Sequence, residues 1–239
     1  MCNKGENRIG NRKIRVAFID DGINGKLYQV LGVNENISIN KGHIESISED
    51  VLNKDSHGSR CAAIFSKYVL CDVEIVSIKI LHDGNGNCLD LLSAIDWCEK
   101  NHVDVINMSI GTVDPEDGQL ISEYINYNCF MKNMIIVAAM SNNFQYTYPA
   151  SLNGIIGVRA YFKSHGFFIQ LSKEKVHNIE IEASSIHIVN KIDGGKKMLR
   201  GGNSYAVPVV SSYICNLINC YGVLEYEQIL KHIENIDRK

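Results

Sequence analysis

Short, almost wholly apolar runs recur along the chain, each closing on a small polar cluster, and segments with helical spacing of apolar residues lie between them. Residues 14–19 end at Asp20-Asp21-Gly22, residues 103–108 at Ser109-Ile110-Gly111, and residues 134–139 at Met140-Ser141-Asn142-Asn143. With residues 73–80, these runs are too short and too continuous for amphipathic helices, and they predict buried strands of a parallel sheet. Ser56 is placed to cap a helix whose apolar positions are Cys61, Ala62, Ala63, Ile64, Phe65 and Val69, with His57 in its first turn. Residues 89–101 put Leu91, Leu92, Ile95 and Cys98 on one face, and a further helix is predicted over 116–132. This alternation predicts an α/β fold: a doubly wound, mostly parallel sheet with helices on both faces. Further strands are predicted at 154–160 and 180–183, with a short one near 37–39. Residues 164–175 carry no clear pattern, and 225–239 read as a final amphipathic helix.

The stretch from 205 to 224 is uncharged and mostly apolar, and Gly201-Gly202-Asn203-Ser204 opens it. Asn203 is predicted to cap this helix, so that Ser204 stands at its start beside unpaired backbone N–H groups. The stretch is long enough to span a membrane, yet it carries Pro208, Ser211, Ser212, Asn216 and Asn219. We expect a helix buried inside the domain and no membrane span.

Composition changes the picture in three ways. Three prolines in 239 residues and no low-complexity tract predict one domain over 1–239, with 1–12 as a flexible extension. A formal charge of -3 with mixed signs gives no reason to expect nucleic acid or an anionic membrane as partner. The eight cysteines include no C-x-x-C pair, which predicts free buried thiols in a reducing compartment. The polar N-terminus lacks the apolar core of a secretion signal, so the expected location is the cytoplasm. Asp83-Gly84-Asn85-Gly86-Asn87 begins like a calcium loop, but Cys88 and Ala94 stand where its glycine and glutamate belong. No metal and no cofactor is predicted.

Asp20, Ser109 and Asn142 are all predicted at the carboxyl edge of the sheet, where α/β folds place ligands. Each alone also has an ordinary structural reading, as a turn residue or a cap. Their words are more specific together. Val16-Ala17-Phe18-Ile19-Asp20-Asp21-Gly22 resembles the Asp-Ser/Thr-Gly strand of subtilisin-like serine proteases (subtilases, peptidase family S8). His57-Gly58-Ser59-Arg60-Cys61-Ala62 resembles their His-Gly-Thr-His-Val-Ala. Val137-Ala138-Ala139-Met140-Ser141-Asn142 and Tyr148-Pro149-Ala150 resemble the oxyanion segment and its sequel. Gly202-Asn203-Ser204-Tyr205-Ala206-Val207-Pro208 resembles Gly-Thr-Ser-Met-Ala-x-Pro. The order Asp, His, Ser is that of the subtilisin triad, and the resemblance covers roughly residues 12–236.

The resemblance implies a serine endopeptidase with Asp20, His57 and Ser204 as triad and Asn142 in the oxyanion hole. It also implies that Ser109, Ile110, Gly111, Ala139, Met140 and Ser141 bind an extended peptide. A small intracellular member without a prodomain is expected, since nineteen residues precede Asp20, and a peptide precursor or helper chain would be its partner. The departures are Asp21 beside the catalytic aspartate, Arg60 for the second histidine, Asn203 for threonine and Ser141 for a pocket glycine. A second carboxylate at Asp21 is expected to oppose ionisation of Asp20 unless it faces water. The calcium loop that some members insert after His57 is expected to be missing, and the short segment from Asn142 to Tyr148 predicts a more open pocket. The alternative class is a catalytically silent peptide-binding module. A phosphatase built on Asp20-Asp21 would leave His57 and Ser204 unexplained.

Overall fold

The structure, a computed structural model, describes residues 12–128 and 134–237. Residues 1–11, 129–133 and 238–239 lie outside this description, and with them Cys2, Cys129 and the end of the predicted 116–132 helix. Residue 12, expected in a flexible extension, is anchored instead. Its guanidinium makes two bonds of 2.8 and 2.5 Å to the buried Asp104 carboxylate, the bidentate geometry that suits this pair.

Nine strands form one sheet in the spatial order β3-β2-β4-β1-β5-β6-β7-β9-β8. In chain order they are β1 (Ile14–Asp20), β2 (Val33–Asn40), β3 (His43–Ser46), β4 (Val73–Lys79), β5 (Val105–Met108), β6 (Ile135–Ala139), β7 (Ile156–Tyr161), β8 (Ile169–Val176) and β9 (Ile179–Ser184). The seven inner strands run parallel, and the edge strands β3 and β8 pair antiparallel. A separate hairpin joins β10 (Ile186–Asn190) to β11 (Lys196–Arg200).

Side chains alternate between the two faces of a strand, and β1 shows why its middle, Val16 to Ile19, must be apolar. Ile14, Val16 and Phe18 join a core under α1 (His57–Tyr68), α4 (Val207–Tyr221) and α5 (Tyr226–Asp237). Ala17 and Ile19 join a second core under α2 (Cys88–Lys100) and α3 (Pro115–Asn128). Each fully buried side chain of this size contributes about 1.5–3 kcal/mol. α4 lies inside the first core, with ten of its residues buried from Val207 to Ile218, which accounts for its uncharged sequence. No single helix among the described residues is long and apolar enough to cross a membrane. Cys61, Cys71, Cys88, Cys98 and Cys215 are free thiols. Cys220 departs from the all-thiol expectation, being disulfide-bonded.

Two regions depart from the sequence pattern. Residues 169–176, which carried none, form the edge strand β8. There only Ile169 is fully buried and the charged positions face water, so no apolar run marks it. Residues 33–46, from which only a short strand was expected, supply β2 and β3.

Candidate active site

Strands β1 and β5 lie side by side, and their carboxyl ends carry the chemistry. Asp20 is the last residue of β1 and is buried. His57 is the first residue of α1, and its Nδ1–H donates to Asp20 Oδ2 at 2.8 Å. Local features hold the two together. Ser56 caps α1 by accepting from Ser59 N–H at 3.0 Å, and its own hydroxyl donates to the Gly22 carbonyl at 2.7 Å. Gly58 is required for this approach, because a Cβ there would stand 2.6 Å from the Gly22 carbonyl oxygen.

Asp21 does not crowd the imidazole. Its two carboxylate oxygens accept from His57 N–H at 3.0 Å and Gly58 N–H at 2.8 Å, amides that a helix start leaves without partners. Burial, and then the charge of Asp20, hold its carboxyl above the ordinary value, with those two amides opposing. The second carboxylate thus fastens α1 to β1.

His57 is held above its ordinary value of 6.5, first by the Cys61 sulfur 3.8 Å from Nδ1 and, against burial, by the bond to Asp20. Asp20, His57 and Cys61 place possible ligand atoms within 4.8 Å of one another, the one such grouping among the described residues. The ring of His57 also stacks on Tyr205 at 5.4 Å and 13°. Arg60 reaches that phenol oxygen at 3.4 Å and pairs with Asp55 at 2.9 Å. The arginine standing for a family histidine therefore braces the stacked ring.

Ser204 lies in a 3-10 turn, Asn203–Tyr205, that precedes α4. Its hydroxyl donates to the Ser109 carbonyl at 3.3 Å rather than to His57. Asn203 is not the cap that the sequence predicts. It is buried, and its Nδ2 donates to the carbonyls of Met140 and Ser141 while Oδ1 accepts from Ala160 N–H. Three backbone groups from the ends of β6 and β7 consume the amide, so nothing remains for capping. Asn203 N–H in turn donates to Asn142 Oδ1 at 3.0 Å, which leaves the Asn142 amine as that side chain's donor group. Asn142 lies flat on Gly202, where any Cβ would fall 1.9 Å from Oδ1.

Ser204 and Asn142 line one cleft of about 510 Å³ with Ser109, Ile110, Gly111, Ala139, Met140 and Ser141. All ten residues singled out in the sequence are thus in this cleft or, for Asp20 and His57, beside it. Residues 109–111 belong to no strand. Thr147, Tyr205 and Cys61 were not singled out for the site, and Asn203 was read as a helix cap and a departure from the family word. Position inside the motif words around His57 and Ser204 could have marked all of these but Thr147.

The chain matches the subtilase family, Peptidase S8, over residues 11–235. It is 26% identical over 165 residues to the minor extracellular protease Epr of Bacillus subtilis, covering 64% of this chain and 24% of that one. It is 25% identical to Subtilisin DY of Bacillus licheniformis, covering 93% of this chain and 82% of that one. In structure it resembles a lanthipeptide protease with a TM-score of 0.70 at 17% identity, covering 91% of this chain and 78% of that one. The chain belongs to the subtilase family, and its enzyme class is that of a subtilisin-like serine endopeptidase.

Proposed function

From its place in the subtilase family, we propose that the chain cleaves peptide bonds through an acyl-enzyme on Ser204, with His57 as general base and Asp20 as its orienting acid. The observation that carries this reading is the 2.8 Å bond from His57 Nδ1 to the buried Asp20. With Nδ1–H committed to Asp20, Nε2 is the basic nitrogen, and it takes the Ser204 proton as the hydroxyl attacks the scissile carbonyl. The developing oxyanion is bound by the Asn142 amine and the Ser204 backbone N–H. A side-chain donor in this role contributes about 10²–10³ in turnover, a figure measured in subtilisin. His57 then returns the proton to the leaving amine, and water repeats the sequence to release the acyl group.

The substrate is an extended peptide paired along residues 109–111. We infer a peptide precursor processed in the cytoplasm. The fold likeness to a lanthipeptide protease supports the precursor, while the disulfide at Cys220 stands against a reducing compartment. A silent peptide-binding module is the second reading, motivated by the Ser204 hydroxyl bonding to Ser109 instead of His57.

Covalent labelling by a fluorophosphonate decides between them. The folded wild type is expected to label, and Ser204→Ala and His57→Ala are not. A folded wild type that stays unlabelled would favour the silent module.

A further inference from the structure

The slot beside Ser204 is bounded by residues 109–111 on one wall and residues 139–141 on the other, and its far end is occupied by a side chain. Thr147 is buried, and it touches both walls. Its Oγ1 accepts from Ser141 N–H at 2.9 Å and donates to the Gln145 carbonyl at 2.8 Å. Its methyl faces the opposite wall so closely that a Cβ on Gly111 would stand 3.1 Å from Cγ2. The next residue then ties that wall down as well, because Tyr148 and Thr112 exchange backbone bonds of 2.9 and 2.8 Å. Thr147 belongs to the short segment from Asn142 to Tyr148 that was expected to leave the pocket more open, and it bridges the two walls.

Three consequences follow for a side chain entering this slot. Ser109 touches the Ser204 hydroxyl, and Gly111 two residues later already faces Thr147, so Thr147 limits how far a side chain can reach. The walls are fixed to each other through Thr147 and Tyr148, so widening breaks backbone hydrogen bonds. The two walls and Thr147 carry no charged side chain, and the acid lining the cleft is Asp117, whose backbone carbonyl accepts from Cys88 Sγ. Nothing in the slot would pair a buried charge.

We propose that the subsite for the residue preceding the scissile bond accepts only small, uncharged side chains, glycine, alanine or serine, and that Thr147 sets this limit. The proposal rests on the serine peptidase reading of the same site. A side chain larger than the slot by a methylene or more loses about 10–200-fold in kcat/KM when it cannot be seated.

The test uses the full chain with fluorogenic peptides that differ only at that residue: glycine, alanine, serine, leucine, phenylalanine and lysine. Alanine and serine peptides are expected to be cleaved with kcat/KM at least about tenfold above leucine, phenylalanine and lysine. Thr147→Gly should raise leucine and phenylalanine relative to alanine by about tenfold or more. Thr147→Ser keeps the hydroxyl tie to Ser141 and removes only the methyl, so it should give a smaller shift in the same direction. Leucine or phenylalanine preferred by the wild type, or an order unmoved by both variants, would overturn the proposal. Fluorophosphonate labelling is run on the same samples and needs no side chain in the slot. Labelled protein with the wrong order sinks the subsite alone, whereas folded protein without label sinks the peptidase reading and the subsite with it.

Discussion

Two histidines touch Tyr205, the residue after Ser204, and the protein pushes them in opposite directions. His57 stacks on the Tyr205 ring, while His187 donates from Nε2 to the Tyr205 carbonyl at 3.2 Å and the Ser184 carbonyl at 3.0 Å. His187 is buried and His57 partly so, and burial by itself disfavours the charged ring. At His57 the neighbouring Cys61 sulfur and the Asp20 carboxylate outweigh that penalty and favour the imidazolium. At His187 no acid is among the causes, and burial lowers the group from 6.5 to about 4 despite its two carbonyl acceptors. The Tyr68 hydroxyl, 3.0 Å away, donates to His187 Nδ1 and completes the neutral ring. An anionic partner thus separates the histidine proposed to exchange protons from one that serves as a hydrogen-bonding strut.

Replacing each in turn gives the largest expected contrast. His57→Ala should remove about 10⁴–10⁶ in kcat, the range known for triads of this type, while leaving the thermal midpoint nearly unchanged. His187→Ala should do the reverse. It strands the buried Ser184 and Tyr205 carbonyls and opens a cavity, so we expect about 2–4 kcal/mol of lost stability, with activity surviving in the folded fraction. Urea unfolding and peptide hydrolysis on the same samples check both. A His57 variant that unfolds, or a His187 variant that is folded but inert, would break the assignment.

The pH dependence of stability sharpens the same contrast. The unfolded chain protonates His187 near 6.5, but the folded chain resists until about 4. Between these values the unfolded state binds the extra proton, so stability falls as pH drops. This contribution is fully present above about pH 6.5 and is lost by about pH 4, a total of ~3 kcal/mol. His187→Gln can still donate to a carbonyl but does not titrate. Its urea midpoint should therefore fall less than that of the wild type between pH 7 and pH 4.5. Equal slopes would mean that other groups carry the acid sensitivity.

How much of this arrangement is legible in the sequence depends on the range of the interaction. The inner strands are legible because burial on both faces forces a continuous apolar run. Asp20, His57, Ser204 and Asn142 sit in short local words whose chemistry explains their order. β8 is not legible, because an edge strand with one face in water carries Ser172, Lys173, Glu174 and Lys175 like a loop. Asn203 defeats local reading in another way. An asparagine before a helix is ordinarily its cap, and here the fold brings backbone groups some 40–60 residues away to the same amide. His187 is hidden for that reason too, since nothing near it in sequence distinguishes a strut from a surface histidine on a strand. Thr147 closes its slot only once Gly111 and Ser141 stand on either side.

The smallest effect isolates what raises His57. Cys61 lies one turn along α1, and its sulfur is the first cause of the shift, ahead of the Asp20 bond. If that sulfur favours the imidazolium, Cys61→Ala should lower the pH at which His57 loses its proton. Activity requires the neutral ring, so the acid limb of kcat/KM should move to lower pH. We expect the limb to move in that direction, with the plateau at high pH little changed. The variant would then exceed the wild type on the acid side alone. If the limb stays in place, the hydrogen bond to Asp20 by itself sets His57, and the contrast with His187 reduces to one carboxylate.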